Sequence, residues 1–267
     1  MTMEEKRILI TLTPSESKRL IAKGVRNLEE VQRALKHGTI VIGLGTTNAY
    51  VAEEILAALS DTETRTVDKQ RYAAGVITDK GTCIVPKEER ETDIILKDGK
   101  ISEESIEKAI EGLSAKDVFI KGANALDGTG TAGILLAHPA GGTIGTALGT
   151  VMARGVNFVI PMGIEKTIPY PIVEAARQVG KELFYKSTGR AVGLMPVHGN
   201  VITEVEALII LGATNAFPIS AGGVDGGEGS VVLCAEGSTQ QMDELMQIVS
   251  QIKGEPAVKI VGVDCEE

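Results

Sequence analysis

An α/β fold with a mostly parallel, doubly wound (Rossmann-like) sheet is what the sequence predicts, with a smaller C-terminal α+β unit. Two observations carry that expectation. Short β-branched runs alternate with helical runs through the first two-thirds of the chain, as strands alternate with covering helices in such sheets. The pattern then changes to strand, strand, helix and strand near the end. A chain of 267 residues suits one large or two modest domains at about 100–200 residues each. The expected division is 1–195 and 196–267, the second part being either a separate unit or the last edge of the main sheet.

The elements follow in order. Residues 7–11 are a short apolar strand. Thr13-Pro14-Ser15-Glu16 starts a helix, with Thr13 as cap, Pro14 in the first turn and Glu16 closing a capping box; it ends at Gly24. A second helix starts at Asn27 and stops at Gly38. The run TIVIG at 39–43 is β-branched and reads as a strand. Residues 46–59 read as a helix with Ala49, Ala52, Ile55, Leu56 and Leu59 on one face. Two strands, 73–78 and 82–85, flank the Asp79-Lys80-Gly81 turn. A charged loop at 87–91 precedes a strand at 93–96, which ends at Asp98-Gly99. Ser102 caps a helix reaching 113. DVFI at 117–120 is a strand, followed by a glycine-rich stretch and a helix at 143–154. A strand at 157–161 and a helix at 171–179 complete the alternation. Residues 204–211 suit either state. Strands are expected at 217–220, 230–235 and 257–263. Between the last two lies a helix at 238–252, with Met242, Leu245, Met246, Val249 and Ile252 facing inward.

Composition excludes several classes. Lys and Arg number 27 against 36 Asp and Glu, a net charge of −9. Such a chain repels phosphate backbones unless its basic residues cluster. The densest cluster, Lys18, Arg19, Lys23 and Arg26, is broken by acids and reads as a solvated helix face. Four Phe, four Tyr and no Trp leave few platforms for base stacking. Cys83, Cys234 and Cys265 are far apart and form no CxxC pair, so neither a disulfide framework nor a zinc site is expected. His37, His138 and His198 form no metal-binding spacing, and no cofactor is called for. The start has no signal-peptide pattern and no window is apolar enough to cross a membrane. The expectation is a cytoplasmic protein without nucleic-acid or membrane partners, assembled as a homo-oligomer.

Glycine is the unusual count: 31 residues, where average usage of about 7% gives roughly 19. Three clusters stand out, at 43–45, 122–149 and 222–229. Gly43-Leu44-Gly45-Thr46-Thr47-Asn48 lies between a strand and a helix. Glycines there admit close backbone approach, and a helix start offers free N–H groups to an anion. The loop is neither a Walker loop nor a dinucleotide fingerprint. A tight turn capped by Thr46 is the other reading. The segment Lys121-Gly122-Ala123-Asn124-Ala125-Leu126-Asp127 leaves its strand at the same sheet edge, where ligands of open α/β sheets sit. Lys121 suits an anion, Asn124 a hydroxyl or carbonyl, and Asp127 acid–base work. Asn and Asp also build turns. His138-Pro139-Ala140-Gly141-Gly142-Thr143 opens the next helix. Gly141, Gly142 and Thr143 can form a second anion-binding start, and His138 is a second acid–base candidate. Lys166, after the strand at 157–161, can reach the same edge. The loop 222–229 holds five glycines with Asp225 and Glu228 and suits a lid or a subunit contact.

Taken in order, the motifs TIVIGLGTTNAYVAEEIL, DVFIKGANALDGTG and VNFVIPMGIEK resemble the superfamily of ribose-5-phosphate isomerase, glucosamine-6-phosphate deaminase and the CoA transferases. The second is also similar to sugar-responsive effector domains of bacterial repressors and to initiation-factor-2B-like isomerases. The resemblance spans roughly 15–185. It implies phosphate binding by Gly43, Gly45, Thr46 and Thr47, and sugar-hydroxyl contacts at an Asp-x-x-Asp pair. Asn124 stands at the first of those acidic positions, and only Asp127 matches. The superfamily isomerase's Lys-Gly-Gly-Gly segment and following acid have no clear counterpart. Thr131-Ala132-Gly133 and HPAGGTIG stand there instead.

The resulting expectation is an isomerase-like enzyme acting on a small phosphorylated or anionic metabolite. The anion is held by Gly43, Gly45, Thr46, Thr47, Asn48, Lys121, Asn124, Gly141, Gly142, Thr143 and Lys166, with Asp127 and His138 catalytic. The alternatives are a non-catalytic phospho-ligand sensor and an oligomeric structural protein.

Overall fold

The computed structural model describes residues 5–59 and 66–266. In chain order the elements are β1 (Lys6–Leu12), α1 (Pro14–Arg26), α2 (Glu29–His37), β2 (Thr39–Ile42), α3 (Thr46–Leu56), β3 (Gly75–Thr78), β4 (Gly81–Ile84), β5 (Ile94–Lys97), β6 (Lys100–Ser102) and α4 (Ile106–Gly112). There follow β7 (Val118–Ile120), β8 (Ala125–Leu126), β9 (Ala132–Leu136), α5 (Gly142–Arg154), β10 (Asn157–Pro161) and α6 (Ile172–Gln178). The chain continues with β11 (Gly193–Val197), β12 (Asn200–Ile202), α7 (Glu204–Ile210), β13 (Asn215–Gly222), β14 (Ser230–Gly237) and α8 (Thr239–Ile252).

The fold is mixed α/β around a mixed six-stranded sheet of order β12-β10-β7-β2-β5-β6. The four strands β12, β10, β7 and β2 are parallel, and the β5–β6 hairpin pairs with β2 through β5, which alone runs against the other five strands. Register places Val41 beside Phe119 on one side and Ile95 on the other. Their faces follow from the two-residue period of a strand. Ile40, Ile42, Ile94, Leu96, Val118 and Ile120 face a core shared with α1, α2, α3 and α7. Val41, Ile95, Phe119, Phe158 and Ile160 face a second core with α4 and α5. Helices on both faces explain why these strands read as unbroken apolar runs. Phe119 and Phe158 meet with ring centroids 5.5 Å apart.

The parallel strands end at one edge, so their following loops emerge together. Smaller antiparallel sheets surround this frame. β9 pairs with β8 and β11, β3 with β4, and β14 lies between β1 and β13. The 195/196 division falls inside β11, which pairs with β9. β12 forms an edge of the main sheet, while β1 joins β13 and β14. Sheet pairings therefore cross that division in several places. Among the described residues no helix is long and apolar enough to cross a membrane.

Local signals placed α1 well. Thr13 and Glu16 form the reciprocal capping box. Several expectations need correction. α2 is capped at Leu28, because Asn27 closes α1. Ser102 lies in β6, and Ser105 caps α4. Met246 is 39% exposed, although its neighbours on α8 are buried. Residues 257–263 form no strand. Cys265 near the end is instead bonded to Cys83, 182 residues away in sequence. Nor is the basic face of α1 solvated. Arg19 reaches Glu53 at 2.6 Å, Glu54 at 3.1 Å and Glu255 at 3.0 Å, with its side chain 14% exposed. Those acids come from distant segments, so sequence spacing did not reveal the network.

Candidate functional site

The site begins where β2 and β7 end. Gly43 N–H donates to the Ile120 carbonyl at 2.9 Å. A Cβ on Gly43 would lie 2.9 Å from Lys121 Cδ, so only glycine permits this approach without a shift. Leu44 N–H donates to Asp93 at 2.8 Å, and Lys121 Nζ donates to the Leu44 carbonyl at 3.0 Å. Asn48 Nδ2 donates to the Gly43 carbonyl at 2.6 Å. These bonds fix the loop that starts α3. No side chain caps that helix, whose N-cap is Gly45. Its first N–H groups are therefore available to a ligand.

α5 starts in a similar way. Gly141 and Gly142 have φ of 78° and 57°, a left-handed conformation that favours glycine. Again no side chain supplies the cap. His138 stands just before this turn, and its Nδ1 accepts the Ala140 N–H at 3.1 Å. That bond favours the tautomer with the neutral ring's proton on Nε2. Asn124 Oδ1 accepts the Leu135 N–H at 3.0 Å, tying the loop after β7 to β9.

Both helix starts line one cavity of about 440 Å³, within the usual range for a small-molecule site. Gly45, Thr46, Thr47 and Asn48 line it from α3, and Gly141, Gly142, Thr143 and His138 from the α5 side. Lys121, Asn124 and Lys166 complete the part anticipated from the sequence. Gly43 lies behind this wall and positions it. Among the described residues the lining contains five cations, Arg90, Lys121, Lys166, Lys181 and Arg190, and no Asp or Glu.

The electrostatics favour an anion. Burial lowers the pKa of Lys121; the Asp93 charge opposes this, and the Lys166 charge adds to it. Burial raises that of Asp93, against the Leu44 N–H and the Lys121 charge. Lys166 Nζ donates to the Ala123 carbonyl at 3.1 Å, leaving its charge uncompensated by that contact. Thr47 Oγ1 and Asn48 Oδ1 are buried without a hydrogen-bond partner. Leaving a buried polar group unsatisfied costs about 1–3 kcal/mol.

Asp127 stands apart from the cavity lining. Its carboxylate accepts from Thr129 N–H at 2.9 Å, Thr129 Oγ1 at 2.6 Å, Thr131 N–H at 3.1 Å and Ile172 N–H at 3.0 Å. Burial works to raise its pKa, and these hydrogen bonds outweigh it, holding the group down to about 2. Asp127 organises its own loop and anchors the start of α6. The 222–229 loop joins β13 to β14 and contributes nothing to the lining.

The roof of the cavity was not legible in the sequence. Gly75 and Val76 of β3, with Thr82, Cys83 and Ile84 of β4, line it together with Arg190 and Val192. Arg190 N–H donates to the Thr82 carbonyl at 2.7 Å, and Ile84 and Asp264 exchange backbone bonds of 2.8 and 2.7 Å. The Cys83–Cys265 disulfide and an Arg190–Asp264 ion pair fasten the C-terminal segment to this hairpin. Long-range pairing with β4 brings Arg190 to the site, where Arg90 and Lys181 also line the cavity.

Among the described residues no group of three or more His, Cys, Asp or Glu could hold a metal ion. Comparison of the chain with protein-family models, curated proteins and solved structures finds no match.

Proposed function

We propose that the chain acts on a small phosphorylated or otherwise anionic metabolite, with isomerase-like proton-transfer chemistry. One observation carries the reading: two helix starts without side-chain caps meet at one cavity whose charged lining, among the described residues, is wholly cationic. Backbone N–H groups at Thr46, Thr47 and Thr143 suit the anion, helped by the helix dipoles. Asn124 and Asn48 suit hydroxyl or carbonyl groups. His138 is the acid–base group of this reading, since Asp127 is engaged elsewhere. The doubly wound, Rossmann-like arrangement belongs to the same proposal. It is supported by the four parallel strands with helical cores on both faces.

Thermal-shift titration with inorganic phosphate and pentose 5-phosphate tests the binding. Stabilisation of about 2.7 kcal/mol is expected at a ligand concentration 100 times Kd. Solvent-proton exchange into the bound sugar phosphate tests the chemistry. His138→Asn is expected to abolish exchange while retaining the thermal shift. Absence of both exchange and turnover across sugar phosphates that do bind favours the second reading, a ligand sensor. The absence of a carboxylate from the cavity lining among the described residues is the observation on that side.

A further inference from the structure

We infer that the ligand of this cavity is a hydroxylated molecule carrying two separate phosphoryl groups, one seated at each helix start. This rests on the reading of the cavity as an anion site and extends it to a ligand class.

The first argument is geometric. α3 has 11 residues and α5 has 13, long enough for each start to carry roughly half a positive charge. They belong to different loops, GLGTTN and HPAGGT, and both line the same cavity. A single phosphoryl group at one start leaves the other start's N–H groups without an anion.

The second argument is charge balance. Lys121 faces Asp93, and Arg190 is paired with Asp264. Arg90, Lys166 and Lys181 enter no ion pair among the described residues. With the two helix starts they present about four positive charges. One phosphate monoester carries about −1.5 to −2 at neutral pH, and two bring the cavity near neutrality.

The third argument concerns unpartnered oxygens in the first turn of α3. Asn48 is fully buried, and its Nδ2 is committed to the Gly43 carbonyl. A flipped amide would set two acceptor oxygens against each other, so Oδ1 is the atom left over. It lacks a donor, and Thr47 Oγ1 beside it lacks any partner. An acceptor in this position calls for an O–H from the ligand. A diphosphorylated polyol or sugar supplies both features.

Isothermal titration with inorganic phosphate, pentose 5-phosphate and a pentose bisphosphorylated at both ends is the test. The bisphosphate is expected to bind at least tenfold tighter than the monophosphate. Thr46→Glu and Thr143→Glu each place a carboxylate at one helix start, a substitution that helix N-termini favour. Each is expected to reduce bisphosphate affinity to the monophosphate level, and the double variant to abolish binding of both. Equal affinity for the mono- and bisphosphate overturns the two-ended ligand and leaves the anion site intact. Failure of all three probes to bind the wild-type chain overturns the anion site itself.

Discussion

Asp127 and Thr47 show how a residue's role follows from its partners. Asp127 has four donors and lies outside the lining. Asp127→Ala strands those donors and is expected to cost about 2–4 kcal/mol in urea unfolding. Affinity of the folded protein for phosphorylated ligands is expected to remain within twofold. Thr47 is the opposite case. Its hydroxyl is buried with nothing to bond, so Thr47→Val should leave stability unchanged or raise it by up to about 1 kcal/mol. Ligand affinity should fall at least fivefold in the same preparation. Glu204 adds a pH dependence. It is fully buried after β12 and accepts the Ile164 N–H at 2.9 Å. Burial, then the charge of Glu165, raises its pKa to about 7. The folded state thus keeps a proton that the unfolded chain releases near the ordinary glutamate pKa of about 4.3. Stability should therefore fall as pH rises from about 4 to 7 and level off above, by on the order of 3 kcal/mol. Glu204→Gln should flatten that slope. Unfolding midpoints at pH 5 and pH 8 read the difference.

At the scale of elements, the C-terminal segment and the β3–β4 hairpin act as one roof. After α8 this segment has no helix or strand. Its ties to the hairpin region are the disulfide, the Ile84–Asp264 backbone bonds and the Arg190–Asp264 ion pair. A cross-link between residues 182 apart should stabilise the fold by about 2–5 kcal/mol. Cys265→Ser, or reduction of the wild type, should lower stability by that amount and expose residues 255–266 to limited proteolysis. Protection equal to that of the oxidised protein would show that the hydrogen bonds hold the roof alone. The same elements show what the sequence made legible. The α1 capping box, the β2 and β7 runs and the glycine starts of α3 and α5 are local, and each appears near its expected place. β9 and β11 were missed because their pairing is set across about 60 residues, and β8 because it is a two-residue strand held only by its pairing with β9. The α7 stretch was ambiguous because seven largely apolar residues fit either period; the Thr203–Glu206 capping box decides for helix. The disulfide and the Arg19 network join segments whose separation carries no local signal.

At the scale of the molecule, the charge distribution decides between kinds of anion. The chain is acidic overall, at −9, while five cations, three of them outside any ion pair among the described residues, line a cavity of about 440 Å³. On the proposed reading such a volume suits a small anion rather than a nucleic-acid duplex. Fixed charges outside the cavity act over only about 8 Å at physiological salt. Nor does any Phe or Tyr line the cavity; Tyr50, Tyr72 and Phe119 are buried in the cores. On the proposed reading, the excess of glycine and the shortage of Phe and Tyr have a shared consequence: an anion would be gripped by backbone amides and cations rather than by a Phe or Tyr stacking surface. Phosphate-induced thermal stabilisation should accordingly persist at 150 mM salt in a tenfold excess of 20-base-pair duplex, and the duplex should migrate unshifted on a native gel. Displacement of the bound phosphate compound by the duplex would place the cationic groups on an open surface and contradict the enclosed site. Raising salt from 50 to 500 mM should weaken the small anion by less than tenfold, because one compact ligand releases few counterions. A polyanion bridging six or more phosphates would lose several powers of ten over that range.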